Sequence, residues 1–158
     1  MTGASATDDP VIADLHQRLS GQPRYSDWLD VTQDRITAFG GITLDFDPAH
    51  LDPAQGEASQ FGAVVNQGFL TLSLLTHFLQ STDAIPQHRD HINYGLDRVR
   101  WTAPAPVPVG SRIRGRFDLA GVESRGGRIY QLTYDATVEI EGQDKPAMVA
   151  RWLVRIQI

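Results

Sequence analysis

The second half of the chain alternates between apolar and polar positions in three long runs, 112–119, 130–140 and 148–158. The apolar residues fall at odd positions in the first run and at even positions in the other two. A period of two indicates strands with one buried and one wetted face, which is typical of an antiparallel sheet. With an extended segment at 92–101, the pattern predicts a meander of about four strands joined by hairpin turns.

The first half carries helix signals instead. Apolar residues with helical spacing predict a helix over 10–19, and Thr32 is expected to cap a second helix that ends at Gly40-Gly41. Asp52-Pro53 predicts the start of a third, short helix that ends near Ala58, because an acceptor followed by proline is typical of a helix start. Helices and loops are therefore expected ahead of the sheet.

One further segment, Gly68 to Leu79, is apolar on every side of a helical wheel, and no charged residue occurs between Phe61 and Ser81. Such a helix must be buried, yet this one is too short to span a bilayer, which takes roughly 20 apolar residues. The sequence thus predicts an α+β hot-dog fold, a curled antiparallel sheet wrapped around a long central apolar helix. A sheet of this kind leaves an edge that a second subunit can pair, so we expect a homodimer.

Composition narrows the class of protein. At 158 residues the chain is expected to form a single domain over 9–158, with a disordered N-terminus at 1–8. The net charge of -5 argues against a nucleic-acid partner, and there is no cysteine for disulfides or thiolate chemistry. No secretory signal or membrane segment is visible, so the expected location is cytoplasmic.

A polar loop before the central helix holds Asp45 and His50, an acid and an imidazole five residues apart in the run DFDPAHLDP. This run resembles the hydratase-2 motif of MaoC-like dehydratases and (R)-specific enoyl-CoA hydratases. Residues 61–75 resemble the start of that family's central helix, and residues 93–111 are similar to a strand of its NodN-like branch. Because the three segments occur in the family's order, the chain is similar to this superfamily over about 31–117.

The resemblance implies hydration of a trans-2-enoyl thioester to the (R)-3-hydroxyacyl thioester, or the reverse dehydration. It assigns the acid–base pair to Asp45 and His50, with Asp45 the expected proton donor to carbon 2. The reaction needs groups that take a proton from water and deliver one to carbon 2, and this pair has the motif spacing. Coenzyme A or an acyl-carrier arm enters as part of the substrate, so neither a cofactor nor a metal is implied.

Further residues are expected to contact the substrate: Gln67, Gly68, Phe69, Thr76 and Asn93. Gly68 opens the central helix, whose free N–H groups and positive dipole end suit the enolate oxygen that develops on the thioester. Its missing side chain would let the thioester come close. Hydroxyls on a buried helix most often bond to the carbonyl four residues back, which is the expectation for Thr71 and Ser73.

Two positions depart from the family pattern. Asp47 replaces the usual asparagine, which would alter the pH dependence of the site if both Asp45 and Asp47 were desolvated. Gln67 replaces the usual histidine before the helix glycine. These departures keep open a catalytically degenerate hot-dog subunit that serves in binding or as a scaffold. Thioester hydrolysis is a weaker alternative, because it typically needs a carboxylate on or beside the central helix and 68–79 contains none.

Two other clusters are open to more than one interpretation. Every second residue from Arg112 to Arg116 is an arginine, with Arg98 and Arg100 on the preceding strand. This row is either a solvated strand face or a docking patch for the phosphates of the thioester carrier. The motif His88-x-x-His91 is expected to belong to a solvated loop rather than to a metal site, because cysteine and a Glu-rich motif are lacking.

Overall fold

The computed structural model describes residues 9–102 and 106–158. The helices are α1 Pro10–Leu19, α2 Gln33–Thr43, α3 Pro48–Leu51, α4 Pro53–Ala58, α5 Gly68–Ser73 and α6 Leu75–Gln80. The strands are β1 Arg24–Tyr25, β2 Leu29–Asp30, β3 Asp90–Trp101, β4 Arg112–Ser124, β5 Ile129–Ile140 and β6 Met148–Gln157. The predicted disorder of residues 1–8 lies outside the described residues.

The strands form one antiparallel sheet in the order β1-β4-β5-β6-β3, with β2 also paired to β4. Of the predicted four-strand meander, β4, β5 and β6 are consecutive neighbours as expected, whereas β3 pairs with the last strand, β6, rather than with β4. Register shifts in β3 and between Leu119 and Gly121 of β4 mark irregularities, which bend strands and increase their twist. β3 lies at one edge of the sheet.

The predicted alternation is confirmed on the inner face of the sheet. In β5 every second side chain from Leu132 to Val138 is fully buried, and β6 repeats the pattern from Ala150 to Ile156. Three inner-face aromatic rings cluster where β4, β5 and β6 meet: Phe117 lies 6.1 Å from Tyr134 and 6.4 Å from Trp152 between ring centroids. This buried apolar face forms the greater part of the core.

The predicted long central helix is wrong in its length and in its all-round burial. The segment forms two six-residue helices, α5 and α6, which meet at Leu74, whose N–H bonds to the carbonyls of both Leu70 and Leu72. Leu74 keeps a right-handed helical backbone, and its carbonyl accepts a 3.0 Å hydrogen bond from the Phe78 N–H, so the two short helices follow each other directly. Phe69 is 66% exposed, which shows that the helix pair is not buried on every side.

The buried face of this helix pair rests directly on the sheet at Gly115 of β4. A Cβ at that position would lie 2.7 Å from the Cβ of Phe78, closer than real contacts allow. Gly115 therefore permits α6 to approach the strand, and Phe78 is 1% exposed as a result. Helix α1 packs against β4 and buries its own Leu15 and Leu19.

The elements around the polar loop differ slightly from the predicted ones. Thr32 caps α2 as expected, accepting a hydrogen bond from the Arg35 N–H, but the helix continues through Gly40-Gly41 to Thr43. It ends at Leu44, which adopts the left-handed conformation (φ 61°) that commonly closes a helix. Across residues 9–102 and 106–158, none of the helices has the length and apolar character needed to cross a membrane.

Candidate active site

The loop after α2 is held by carboxylates that cap short helices. Asp47 caps α3, accepting a hydrogen bond of 2.9 Å from the Ala49 N–H, and Asp52 caps α4 in the predicted manner. Helix α3 itself was not predicted. Asp47 is exposed, so the condition on which its expected effect on pH dependence rested, desolvation of both carboxylates, is not met. An acid is accommodated at position 47 because its carboxylate caps α3.

His50 sits on the last turn of α3 and is half-buried. Its Nδ1 lies 2.7 Å from the carbonyl oxygen of Val65. A carbonyl can only accept a hydrogen bond, so Nδ1 carries a proton, and in the neutral ring Nε2 has a free lone pair. A second hydrogen bond holds the backbone of the same residue, because Gln33 Nε2 donates to the His50 carbonyl oxygen at 3.0 Å. The imidazole is thereby fixed in one orientation.

His50 lines a cavity of about 420 Å³ with a mostly apolar wall, named the main cavity because it contains the imidazole; two recesses elsewhere are larger, at about 560 and 670 Å³. Its other walls include Val65, Asn66, Gly68, Thr71 and Trp101. These residues come from the loop before α5, from α5 itself and from the end of β3. A chamber of this size, largely apolar with a few polar groups, is typical of a small-molecule site.

Asp45 lies at the start of the same loop and is also half-buried. Its backbone N–H bonds to the Gly40 carbonyl at 3.0 Å, and its Oδ1 accepts from the Asp47 N–H at 3.4 Å. A Cβ on Gly40 would approach the Asp45 carbonyl oxygen to 2.8 Å, so the loop is packed tightly against α2. Asp45 shares this loop with His50 but is not among the residues that line the cavity.

Gly68 begins α5 and lies in the cavity wall. Helix α5 has no side-chain cap at Gln67, so its first N–H groups lack an intrahelical or capping partner. The Gly68 carbonyl accepts a hydrogen bond of 2.9 Å from Trp101 Nε1. Phe69 does not line the cavity; it is 66% exposed, and its ring lies 5.5 Å from that of Trp101 between centroids.

Gln67 is almost fully buried, with 2% of its surface exposed. Its Nε2 donates to the Ile36 carbonyl at 3.2 Å, which ties the start of α5 to α2. Its Oε1 has no hydrogen-bond partner among the described residues. Gln67 thus packs behind the cavity wall, next to Gly40, rather than in the wall itself.

Thr76 and Asn93, the two remaining predicted substrate contacts, lie together but apart from His50. Their side chains are 3.2 Å apart, from Asn93 Nδ2 to Thr76 Oγ1. Both line a separate recess of about 170 Å³ between α5, α6 and β3. Of the seven predicted site residues, the structure therefore places His50 and Gly68 in the main cavity and this pair elsewhere.

The prediction missed most of the residues that line the main cavity, among them Asn66, Thr71 and Trp101. Asn66 Nδ2 donates a 2.9 Å hydrogen bond to Thr71 Oγ1, whereas the hydroxyl of Thr71 was expected to bond to the carbonyl four residues back. Ser73 does follow that expectation, bonding to the Phe69 carbonyl at 2.7 Å. The available signal was Asn66 itself, a polar side chain directly after the apolar run Ala63-Val64-Val65. Trp101 carried no comparable signal.

The basic row on β4 is neutralised by neighbouring acids. Arg112 pairs with Glu141 at 2.9 Å, Arg114 with Glu139 at 2.8 Å and Arg116 with Asp118 at 3.2 Å. Arg114 also lies between two aromatic rings of the N-terminal segment, 4.4 Å from one and 4.5 Å from the other. These contacts favour the interpretation of a paired strand face over that of a phosphate patch.

His88 and His91 have rings 5.7 Å apart at the start of β3. Burial, together with the charge of His88, lowers the pKa of His91. His91 also packs against Trp152, with ring centroids 6.2 Å apart. Over residues 9–102 and 106–158, no group of three or more His, Asp or Glu side chains is arranged to hold a metal ion.

The chain is similar to known proteins both in sequence and in fold. A family model described as "MaoC like domain" matches residues 14–140. The chain is 41% identical to 3-hydroxyacyl-thioester dehydratase Z of Mycobacterium tuberculosis over 144 residues, covering 91% of this chain and 94% of that protein. It is 39% identical to Nodulation protein N of Rhizobium leguminosarum bv. viciae over 150 residues, covering 92% and 91% of the two chains.

A solved structure shares the fold. The (R)-hydratase from A. caviae involved in PHA biosynthesis superposes with a TM-score of 0.69. The match covers 87% of this chain and 96% of that one at 23% identity. At that identity the likeness speaks for the hot-dog architecture alone, an antiparallel sheet packed on a short helical segment.

Proposed function

The chain belongs to the family of MaoC-like domains, and on that basis we propose that it is an enzyme that hydrates trans-2-enoyl thioesters to (R)-3-hydroxyacyl thioesters or catalyses the reverse dehydration. The observation that carries the proposal is the orientation of His50. Its Nδ1 is committed to the Val65 carbonyl, and its ring lines the main cavity. The free Nε2 is then available to accept a proton from a water molecule.

The two proton transfers are assigned to His50 and Asp45. Both residues are assigned to activating the water and shuttling its proton: His50 Nε2 accepts the proton that water loses as its oxygen attacks carbon 3, and Asp45 is the proposed donor to carbon 2, recovering its proton from His50 so that the pair is restored. The two residues are held by one short loop: α2 ends at its start, and α3 carries the imidazole at its end. Asp45 is not among the residues that line the cavity, so the proposed proton transfer to carbon 2 proceeds through a water molecule or after a rotation of the Asp45 side chain.

The developing enolate needs hydrogen-bond donors at the thioester oxygen. The N–H of Gly68 is the proposed donor, because the first N–H groups of α5 have no intrahelical partner and no side chain caps them. Gly68 belongs to the cavity wall, as this role requires. Gln67, Phe69, Thr76 and Asn93 do not line this cavity, and they remain proposed contacts to parts of the substrate that lie outside it.

The thioester carrier, coenzyme A or an acyl-carrier arm, is proposed as part of the substrate, and no cofactor is assigned to the reaction. The apolar cavity of about 420 Å³ is suited to the acyl chain. We further propose that residues 9–158 act as a single domain. The cytoplasmic location expected from the sequence stays a prediction.

A homodimer is the proposed assembly. Large apolar side chains are 41–66% exposed along β3 and at the neighbouring start of α5: Phe69, Ile92, Tyr94, Leu96 and Trp101. β3 is an edge strand that pairs with β6. An unpaired edge flanked by exposed apolar side chains is the kind of surface that a second copy of the chain covers.

The reaction is tested by following enoyl-thioester absorbance with crotonyl-CoA and a longer trans-2-enoyl-CoA. The wild type should turn over at least one of them, and Asp45→Asn and His50→Gln should each lower kcat by about 10²- to 10⁴-fold while folding normally. Asp14→Asn and His16→Gln make the same chemical changes on the exposed face of α1 and should leave kcat unchanged.

The outcomes separate the proposed enzyme from its alternatives. Turnover that neither variant reduces would move the chemistry away from this loop and reject the assigned pair. A wild type without hydration of any acyl length would favour the degenerate binding subunit. Release of free coenzyme A instead of a hydroxyacyl product would favour hydrolysis, for which α5 and α6 offer no carboxylate.

A further inference from the structure

We propose that Asn66 and Thr71 form a specificity-determining pair. This polar pair makes the site favour acyl chains that carry an oxygen atom over plain hydrocarbon chains of the same length. The inference rests on the proposed function, because it concerns the acyl part of the same thioester. It is drawn from two buried polar side chains that lie in an otherwise apolar wall.

The polar pair is buried and shares its cavity with His50. Asn66 is 5% exposed and Thr71 is 1% exposed, so neither is a surface residue that happens to border the opening. Their apolar neighbours in the wall include Val65 and Val107, which are each 2% exposed. Polar groups placed this deeply in an apolar chamber are costly to bury unless their hydrogen bonds are completed.

The two side chains carry more donor hydrogens than they can satisfy between themselves. The amide offers two N–H donors and the hydroxyl one O–H donor, and a single hydrogen bond of 2.9 Å joins the two side chains. Two donor hydrogens remain whichever way the amide is turned. The described residues provide no second partner for either side chain. Because both residues line the cavity, these donors are available to whatever fills it.

The place of Thr71 on α5, with Asn66 on the loop just before the helix, assigns the polar pair to the acyl chain rather than to the thioester carbonyl. Thr71 follows Gly68 by three residues, which puts it on the same side of the helix and about 4.5 Å further along the axis. The proposed donor to the thioester oxygen is the N–H of Gly68. The polar pair thus meets a part of the substrate that extends beyond the thioester group.

The chemical consequence is a preference for an acceptor atom in the chain. A plain alkyl chain that enters the cavity displaces water and leaves the two donors without partners. An ether, hydroxyl or keto oxygen at the right distance restores one of these hydrogen bonds. Sites built to hydrogen-bond a substrate oxygen discriminate strongly against the analogue that lacks it.

The test compares trans-2-octenoyl-CoA with three thioesters of equal length in which carbon 5, 6 or 7 is replaced by an ether oxygen. For the wild type, kcat/KM of at least one ether substrate should exceed that of octenoyl-CoA by about tenfold, the effect of one buried hydrogen bond. Asn66→Ala and Thr71→Val should each remove this advantage, chiefly by raising kcat/KM for octenoyl-CoA relative to the ether substrate. Thr71→Ser, which keeps the hydroxyl, should retain it.

Gln131→Leu is the matched control, because it removes a buried polar side chain (5% exposed) that bonds to Arg155 on the sheet and does not line the cavity. It should change thermal stability without changing the substrate ratio. An equal preference for all four thioesters in the wild type would overturn the inference, as would an advantage that persists in Asn66→Ala and Thr71→Val. Hydration of crotonyl-CoA is measured in parallel; a wild type that hydrates neither crotonyl-CoA nor any of the four longer thioesters would reject the proposed function and this inference with it, whereas hydration without a preference would overturn this inference alone.

Discussion

The Nε1 of Trp101 donates a 2.9 Å hydrogen bond to the carbonyl of Gly68, and a Cβ at position 68 would lie 2.8 Å from that same nitrogen. The contact joins the end of β3 to the first residue of α5. Both residues line the main cavity, so this contact sets the distance between the start of α5 and the end of β3, which form two of its walls. The need for glycine at position 68 therefore comes from the indole as well as from the proposed substrate.

Gly68→Ala is expected to displace Trp101 and narrow the cavity. Overpacking of this kind should lower the free energy of unfolding by about 1–3 kcal/mol and reduce turnover more than it reduces stability. Chemical denaturation and enoyl-thioester kinetics measure the two effects. Gly41→Ala is the control, because a Cβ there has no atom within 4 Å and alanine favours the helix by roughly 0.5–1 kcal/mol. Equal behaviour of the two variants would contradict the packing argument.

The parts of the fold that the sequence predicted well depend on local chemistry. The strands were recognisable because one face of the sheet is buried along its whole length, as at Tyr134 and Val154, which forces a strict period of two. The caps at Thr32 and Asp52 were recognisable because a short side chain with an acceptor oxygen, placed just before a helix, commonly accepts a hydrogen bond from its first N–H groups. Both signals lie within a few residues of the structure they determine.

The parts that were missed depend on distant contacts. The exposed face of α5 and α6 could not be inferred, because leucine on a helical wheel does not reveal whether a sheet or solvent lies opposite. Trp101 enters the cavity from a strand more than 30 residues from Gly68. The inclusion of Thr71 in the cavity depends on its bond to Asn66, which competes with the local bond expected within the helix. The His50 loop was recognised through resemblance.

His91 should make stability depend on pH. Burial, and secondarily the charge of His88, lowers its pKa below the ordinary value of 6.5, and its Nε2 is buried without a partner among the described residues. As the pH falls below about 6.5, the unfolded chain binds a proton that the folded chain disfavours, so stability declines in that window. The melting temperature of the wild type should therefore fall more between pH 8 and pH 5.5 than that of His91→Gln.

His88→Gln offers an internal check on the cause. It removes the neighbouring charge but leaves the burial of His91 in place, so the pH-dependent loss of stability should become smaller without disappearing. His16→Gln, on the exposed face of α1, should reproduce the wild-type profile. If His91→Gln lost as much stability as the wild type over the same pH range, the pH dependence would have to come from another group.

Leu96→Lys tests whether the exposed edge of the sheet is an interface between two copies of the chain. Leu96 is 41% exposed on β3, in the row of apolar side chains that includes Ile92 and Tyr94. A lysine there would place a charge against the partner's apolar surface, so we expect light scattering to report a monomer where the wild type is a dimer. Ile129→Lys, an equally apolar position of 36% exposure on β5, should leave the dimer intact. A wild type that is monomeric at all concentrations would reject the interface, whereas loss of the dimer in both variants would show that added charge alone disrupts it.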